Sequence, residues 1–178
     1  MPTRFPGTDV MSDRNGTGGH PALTDHQTGL PNRLHFDTVF DVVFATGCRG
    51  VPLTVILLEM DPFSEWATKT DELEISRVLR SIGNTLAPVI RQSDLLARWD
   101  EACFSFCLVD CNLAGAVLVA DRIDGLMDSI RQMTGLTFSI GGAAFDLDME
   151  EPGDLMGAAE KALQAARNRG RDQMEFLR

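Results

Sequence analysis

Residues 51–60 read Val-Pro-Leu-Thr-Val-Ile-Leu-Leu-Glu-Met. The run is β-branched and apolar at odd and even positions alike, so both of its faces must be covered, which marks a buried central strand. Everything else can be placed around it. Upstream, Pro31 to about Thr46 opens with a proline at a helix start and carries Leu34, Val39, Val43 and Phe44 at helical spacing. Downstream, Asp71 to Arg91 repeats Ile75, Val78, Leu79, Ile82, Leu86 and Ile90, a long amphipathic helix whose last turns Pro88 kinks or tightens. Residues 94–99 and 102–109 read as two short strands joined by a tight turn at Asp100-Glu101. Asn112 caps a helix to about Arg131, 135–145 is a further strand, and Asp154 to Arg169 is an Ala-rich helix closed by Gly170. The final QMEFLR is a closing strand. Helices interleaved with strands, with one hairpin between, predict a mixed sheet covered by helices.

The 178 residues suit one domain, and such a chain buries roughly 70% of the surface it exposes unfolded. Residues 1–22, rich in Gly and Pro and without apolar periodicity, read as a tail or linker, leaving 23–178 as the domain. Apolar residues are 44% and charged residues 24%, an ordinary globular composition. Sixteen Lys and Arg against 26 Asp and Glu leave a net charge of -10, the wrong balance for a general nucleic-acid or anionic-membrane binder. Any anionic ligand therefore needs a local basic pocket. No apolar run reaches the roughly 18 residues of a membrane span, and no signal core opens the chain. Cys48, Cys103, Cys107 and Cys111 form no CxxC pair and read as reduced thiols of a cytoplasmic protein. His20, His26 and His35 are too scattered for a zinc site. Trp66 and Trp99 read as packing residues, and the acidic run from Asp146 to Asp154 as a solvated loop.

The stretch Asp25-His-Gln-Thr-Gly-Leu-Pro-Asn-Arg33 resembles the DxLTGLxNR opening of GGDEF domains, the diguanylate cyclase family. The resemblance continues in order through ILLEMDPF (56–63), RQSD (91–94), LARWDEACF (96–104), TFSIGGA (137–143) and AxxALxxARxxGRD (159–172). It implies an α/β (α+β) fold, a five-stranded mixed sheet wrapped by helices, like a nucleotidyl cyclase. In the family, two domains meet, each with one GTP, and condense them to cyclic di-GMP by two-metal phosphoryl transfer.

Several positions where the resemblance implies chemistry are altered here. The first metal carboxylate is Glu59 rather than an aspartate. The signature falls on Asp100-Glu101-Ala102-Cys103-Phe104, so Ala102 stands at the second metal position and Cys103 at the following glutamate. Asp100 and Glu101 replace two glycines whose positive φ lets the backbone approach a nucleotide. The guanine-gripping positions hold Ala67 and Ser76, the phosphate-loop lysine is Ser64, and Pro62 removes one loop N–H. Arg167 and Arg171 still match residues that hold β and γ phosphates. An alternative register takes Asp100-Glu101 as the DE of the signature and breaks the spacing from RQSD. Losing three preorganised contacts costs roughly 6 kcal/mol of transition-state stabilisation, about four orders of magnitude in rate.

Arg91-Gln-Ser-Asp94 lies five residues before the signature, where the family's RxxD motif forms an inhibitory cyclic di-GMP site. The resemblance therefore implies a catalytically inactive domain that binds cyclic di-GMP through Arg91 and Asp94. A further arginine would be needed, with Arg122 and Arg131 as candidates; Arg98 is the arginine that precedes the signature across the family. No cofactor is required on this reading. Opening with Met1, the chain needs no preceding sensory domain. Two alternatives stay open: a nucleotide-free module that docks a protein partner or dimerises, and a cyclase with unusual ligands, which would need Mg2+.

Overall fold

A computed structural model describes residues 20–177. Most of the segment read as a tail lies outside the described residues. Its end does not: Pro21–Leu23 is a 3-10 turn capped by the His20 ring nitrogen, so regular structure begins inside it. The elements that follow are α1 (Arg33–Gly47), β1 (Leu53–Asp61), α2 (Phe63–Ala67) and α3 (Glu72–Leu86), then β2 (Leu95–Arg98) and β3 (Cys103–Val109). After them come α4 (Leu113–Leu126), α5 (Asp128–Thr134), β4 (Thr137–Ala144), α6 (Pro152–Asn168) and β5 (Met174–Leu177). The sheet order is β2-β3-β1-β4-β5, with every pairing antiparallel except the parallel β4–β5 edge. The apolar 51–60 run is thus the central strand, as its two-faced composition requires.

Each face of β1 has its own core. Ile56, Leu58 and Met60 pack with Val78, Leu79, Ile82 and Leu86 of α3 and Ala120 and Ile123 of α4. Val55 and Leu57 pack with Phe36, Phe40 and Phe44 of α1 and Leu155, Ala159 and Leu163 of α6. Here the expected α1 face is corrected. The buried stripe is the i, i+4 series Phe36, Phe40, Phe44, whereas Leu34 is 58% exposed and Val39 and Val43 are half-buried. Pro31 does not start the helix; Asn32 does, its side chain accepting from the His35 N–H. Truncating one such buried phenylalanine to alanine costs about 3–5 kcal/mol.

Two further expectations shift. The helix from Asn112 breaks at Met127 into α4 and α5, and α3 stops at Leu86, with Ala87–Val89 tightening to 3-10 around Pro88. The short α2 after β1 was not foreseen. Gly141 and Gly142 explain why β4 can lie under α6 and against β5. A Cβ on Gly141 would sit 2.2 Å from the Leu163 backbone N, and one on Gly142 2.2 Å from the Phe176 ring. The opening motif also acquires a structural reason. Asp25 accepts from the Thr28 N–H and hydroxyl at 2.8 and 2.7 Å, Gly29 turns with φ +77°, and Leu30 enters the core. Pro31 O then accepts from the Arg98 N–H at 2.9 Å, tacking the segment to β2.

Candidate functional site

The β2–β3 hairpin has two ends, and the residues singled out by sequence divide between them. At the closed end the turn falls at Asp100-Glu101, with the Trp99 and Asp100 N–H groups donating to Cys103 O. Asp100 Oδ1 accepts from the Ala102 N–H at 2.9 Å, and Ala102 O accepts from Met60 N–H at 2.8 Å, which anchors the tip to β1. Arg98, 6% exposed, donates to the carbonyls of both Asp100 and Glu101 and lies 4.9 Å from the Phe104 ring centre. Burial lowers its pKa, opposed by Asp25 and then Asp100. Its side chain holds the tip shut from inside.

Register places Glu59 of β1 between Cys103 and Ser139 on the neighbouring strands. Its carboxylate meets Arg167 at 2.7 Å. Burial raises the Glu59 pKa; Arg167 pulls it down, and Asp61 and Asp100 push it up again, so desolvation outweighs the ion pair. Asp61 is 2% exposed and accepts from the Ser139 hydroxyl at 2.6 Å. Cys103 is fully buried and its thiol lies well above its ordinary range through burial, then Asp100. It packs; it is not a nucleophile. Arg171 is exposed with φ +63°, one residue before Asp172 at φ +49°.

Side-chain oxygens for a magnesium ion are few at this end. Glu59 is committed to Arg167, Asp61 to Ser139, and Ala102 has no donor atom. Among the described residues no group of three His, Cys, Asp or Glu side chains is arranged to hold a metal. Phe63 is buried and Ala67 half-buried against the same core, while Ser64 is exposed and Ser76 half-buried on α2 and α3.

The open end differs. A cleft of about 410 Å³ lies between the start of β2, the end of β3 and α4, and it is lined by Arg91, Asp94, Asp110, Leu118, Val119 and Arg122 among others. The spacing of RQSD from the hairpin predicted the first two. Arg122 comes from the next helix, and only the fold brings it in. Arg131, the other candidate, is spent elsewhere: it pairs with Asp124, with Asp128 at 2.9 Å and with Asp172 at 3.2 Å. Arg91 and Arg122, by contrast, enter no ion pair among the described residues. Asp94 is a structural staple as well as a cleft residue. Its Oδ2 accepts from the Arg91 N–H at 2.9 Å and its Oδ1 from the Val109 N–H at 3.0 Å.

Residues 22–173 match the family described as "Diguanylate cyclase, GGDEF domain". The chain belongs to that family. It is 28% identical over 170 residues to diguanylate cyclase DosC of Escherichia coli, covering 88% of this chain and 35% of DosC. It is 29% identical over 173 residues to response regulator PleD of Caulobacter vibrioides, covering 93% and 38%. The chain thus spans little more than a third of either relative. The GGDEF domain of DgcB from Caulobacter crescentus, solved in complex with c-di-GMP, superposes with a TM-score of 0.80 at 22% identity, covering 89% of this chain and 97% of that one. That likeness shows the fold. No helix among the described residues is long and apolar enough to cross a membrane.

Proposed function

We propose that this GGDEF domain works in cyclic di-GMP signalling as a catalytically silent reader, holding the ligand in the cleft at the open end of the hairpin. The observation that carries the reading is that Arg91 and Arg122, which enter no ion pair among the described residues, line one cleft of a chain with net charge -10. Guanidinium groups bind phosphates bidentately, and unpaired ones have no internal bond to break first. Leu118 and Val119 give the bases an apolar wall. The closed end supports the silent half of the reading. Its only carboxylate at the first metal position is neutralised by the arginine that would otherwise meet the phosphates, and Ala102 offers nothing. The relatives named as diguanylate cyclases favour the same nucleotide class.

Calorimetric titration with cyclic di-GMP, and separately with GTP and magnesium, tests this. Binding of the first that weakens about 10- to 150-fold in Arg91→Ala, with no product from the second, is the expected result. Wild type that takes up no cyclic di-GMP at high micromolar concentration would leave a protein-docking module instead. Product abolished by Glu59→Ala would leave a cyclase.

A further inference from the structure

A second cleft, of about 330 Å³, lies between α1 and α6 on the face of the sheet opposite α4. One stripe of each helix forms its walls: Arg33, Asp37 and Asp41 on α1, and Met156, Gly157 and Glu160 on α6. Trp99 closes it from the hairpin side. The indole is 7% exposed, lies edge-on to Phe36, and carries the Arg33 guanidinium 4.0 Å from its ring centre. Its N–H donates to no acceptor among the described residues. A buried indole N–H ordinarily has a partner, and here it sits beside a guanidinium, so the two offer neighbouring donors of the kind that take a carboxylate. Arg33 is free to turn to one. Its ion pair with Asp37, at 3.6 Å, has both side chains more than half exposed, where such a pair contributes little.

The other charges have the opposite sign. Asp41 and Glu160 are exposed and enter no ion pair among the described residues. With Asp37 they set three carboxylates against one guanidinium. A simple anion would meet those carboxylates, and a simple cation would meet Arg33. Gly157 supplies room. Its φ is not left-handed, and a Cβ there would meet nothing within 4 Å. Neither the backbone nor internal packing calls for glycine in mid-helix, where alanine serves better. Its absent side chain leaves bare α6 backbone on the cleft wall, next to the buried Phe40 and Met156.

We propose that this cleft binds a free basic α-amino acid, its carboxylate on Arg33 and the Trp99 N–H, its methylene stem over Phe40, Met156 and Gly157, and its cationic groups among Asp37, Asp41 and Glu160. One anionic end, an apolar stem and an excess of cations match the wall in kind and in charge. Arg33 and Asp41 stand two helical turns apart, about 12 Å, a spread that favours a long side chain. The volume falls at the small end of the range for small-molecule sites. The site shares no residue with the open-end cleft and does not depend on what that cleft holds.

Calorimetric titration of the full chain with L-arginine tests the assignment, with agmatine, which lacks the carboxylate, and L-leucine, which lacks the distal cation, as comparisons. Wild type should bind L-arginine, and either comparison about tenfold or more weakly. Arg33→Gln should erase the difference between L-arginine and agmatine. Gly157→Leu fills the cleft with a better helix former and should abolish binding without lowering Tm. The double variant Asp41→Asn with Glu160→Gln, at two exposed positions, should weaken L-arginine about tenfold or more whatever Gly157→Leu does to the fold. Wild type that takes up no L-arginine at millimolar concentration, or that binds agmatine as tightly, overturns the assignment. Unchanged L-arginine affinity in the double variant, or in a folded Gly157→Leu, overturns it equally.

Discussion

The two ends of the β2–β3 hairpin use their charged side chains in opposite ways. At the closed end the charges are consumed internally. Arg98 binds the tip carbonyls, Arg167 binds Glu59, and Asp100 binds the Ala102 N–H. At the open end Arg91 and Arg122 line a cleft and enter no ion pair among the described residues, and Asp94 is held by the Arg91 and Val109 N–H groups and the Ser93 hydroxyl. A ligand at the closed end must first break the half-buried Glu59–Arg167 pair; one at the open end meets arginines that enter no ion pair among the described residues. Arg167 keeps its identity and is paired with Glu59, and Arg122 reaches the cleft only through the fold.

The largest effect that follows is the absence of turnover. Cyclic di-GMP formation from GTP with magnesium or manganese should lie about four orders of magnitude below an intact site, beneath detection in a chromatographic assay. Any product would break the contrast at its stronger side. Next comes Arg122→Ala, which should weaken cyclic di-GMP about 10- to 150-fold, like Arg91→Ala, with wild-type affinity falling as salt rises. Unchanged affinity in Arg122→Ala would show that the cleft does not work as a unit. Arg131→Gln sharpens the comparison from outside. It should leave ligand affinity alone yet cost about 1–2 kcal/mol of stability, a Tm lower by about 2–8 °C, because three carboxylates lose their shared cation.

The smallest effect concerns Glu59. Its folded-state pKa is raised above its ordinary value of 4.5, so the protonated form is the one the fold favours. The stability that this contributes is fully present below pH 4.5 and is lost as pH rises through the folded value. Glu59→Gln should therefore melt slightly above wild type at pH 7 and converge on it below pH 4.5, as followed by thermal denaturation. A variant that melts lower at pH 7 would mean that the Arg167 pair outweighs the burial of the carboxylate.

The central strand, the hairpin turn and the element order were legible because each has a local signature: two-faced apolarity over 51–60, a polar dipeptide between short apolar runs, a cap at Asn112. The buried face of α1 was not, since Leu34, Val39 and Val43 share helical spacing with the phenylalanines and only packing against β1 chooses between them. Nor was the break at Met127, although Gly125 lies in the last turn before it. In the candidate site, Arg91 and Asp94 were named from their distance to the hairpin, and both line the open-end cleft. Arg122 could only be named beside Arg131, and what separates them is the cluster of Asp124, Asp128 and Asp172, the last of which comes from a distant loop.

Hydrogen exchange with and without cyclic di-GMP tests most directly which end of the hairpin receives the ligand. The open-end reading predicts slowed exchange at Arg91–Asp94, at Val109–Asn112 and along Gly115–Arg122, with the tip at Trp99–Cys103 and the residues around Glu59 and Arg167 unchanged. Protection confined to the tip, β1 end and Arg167, or no protection at saturating ligand, would contradict it.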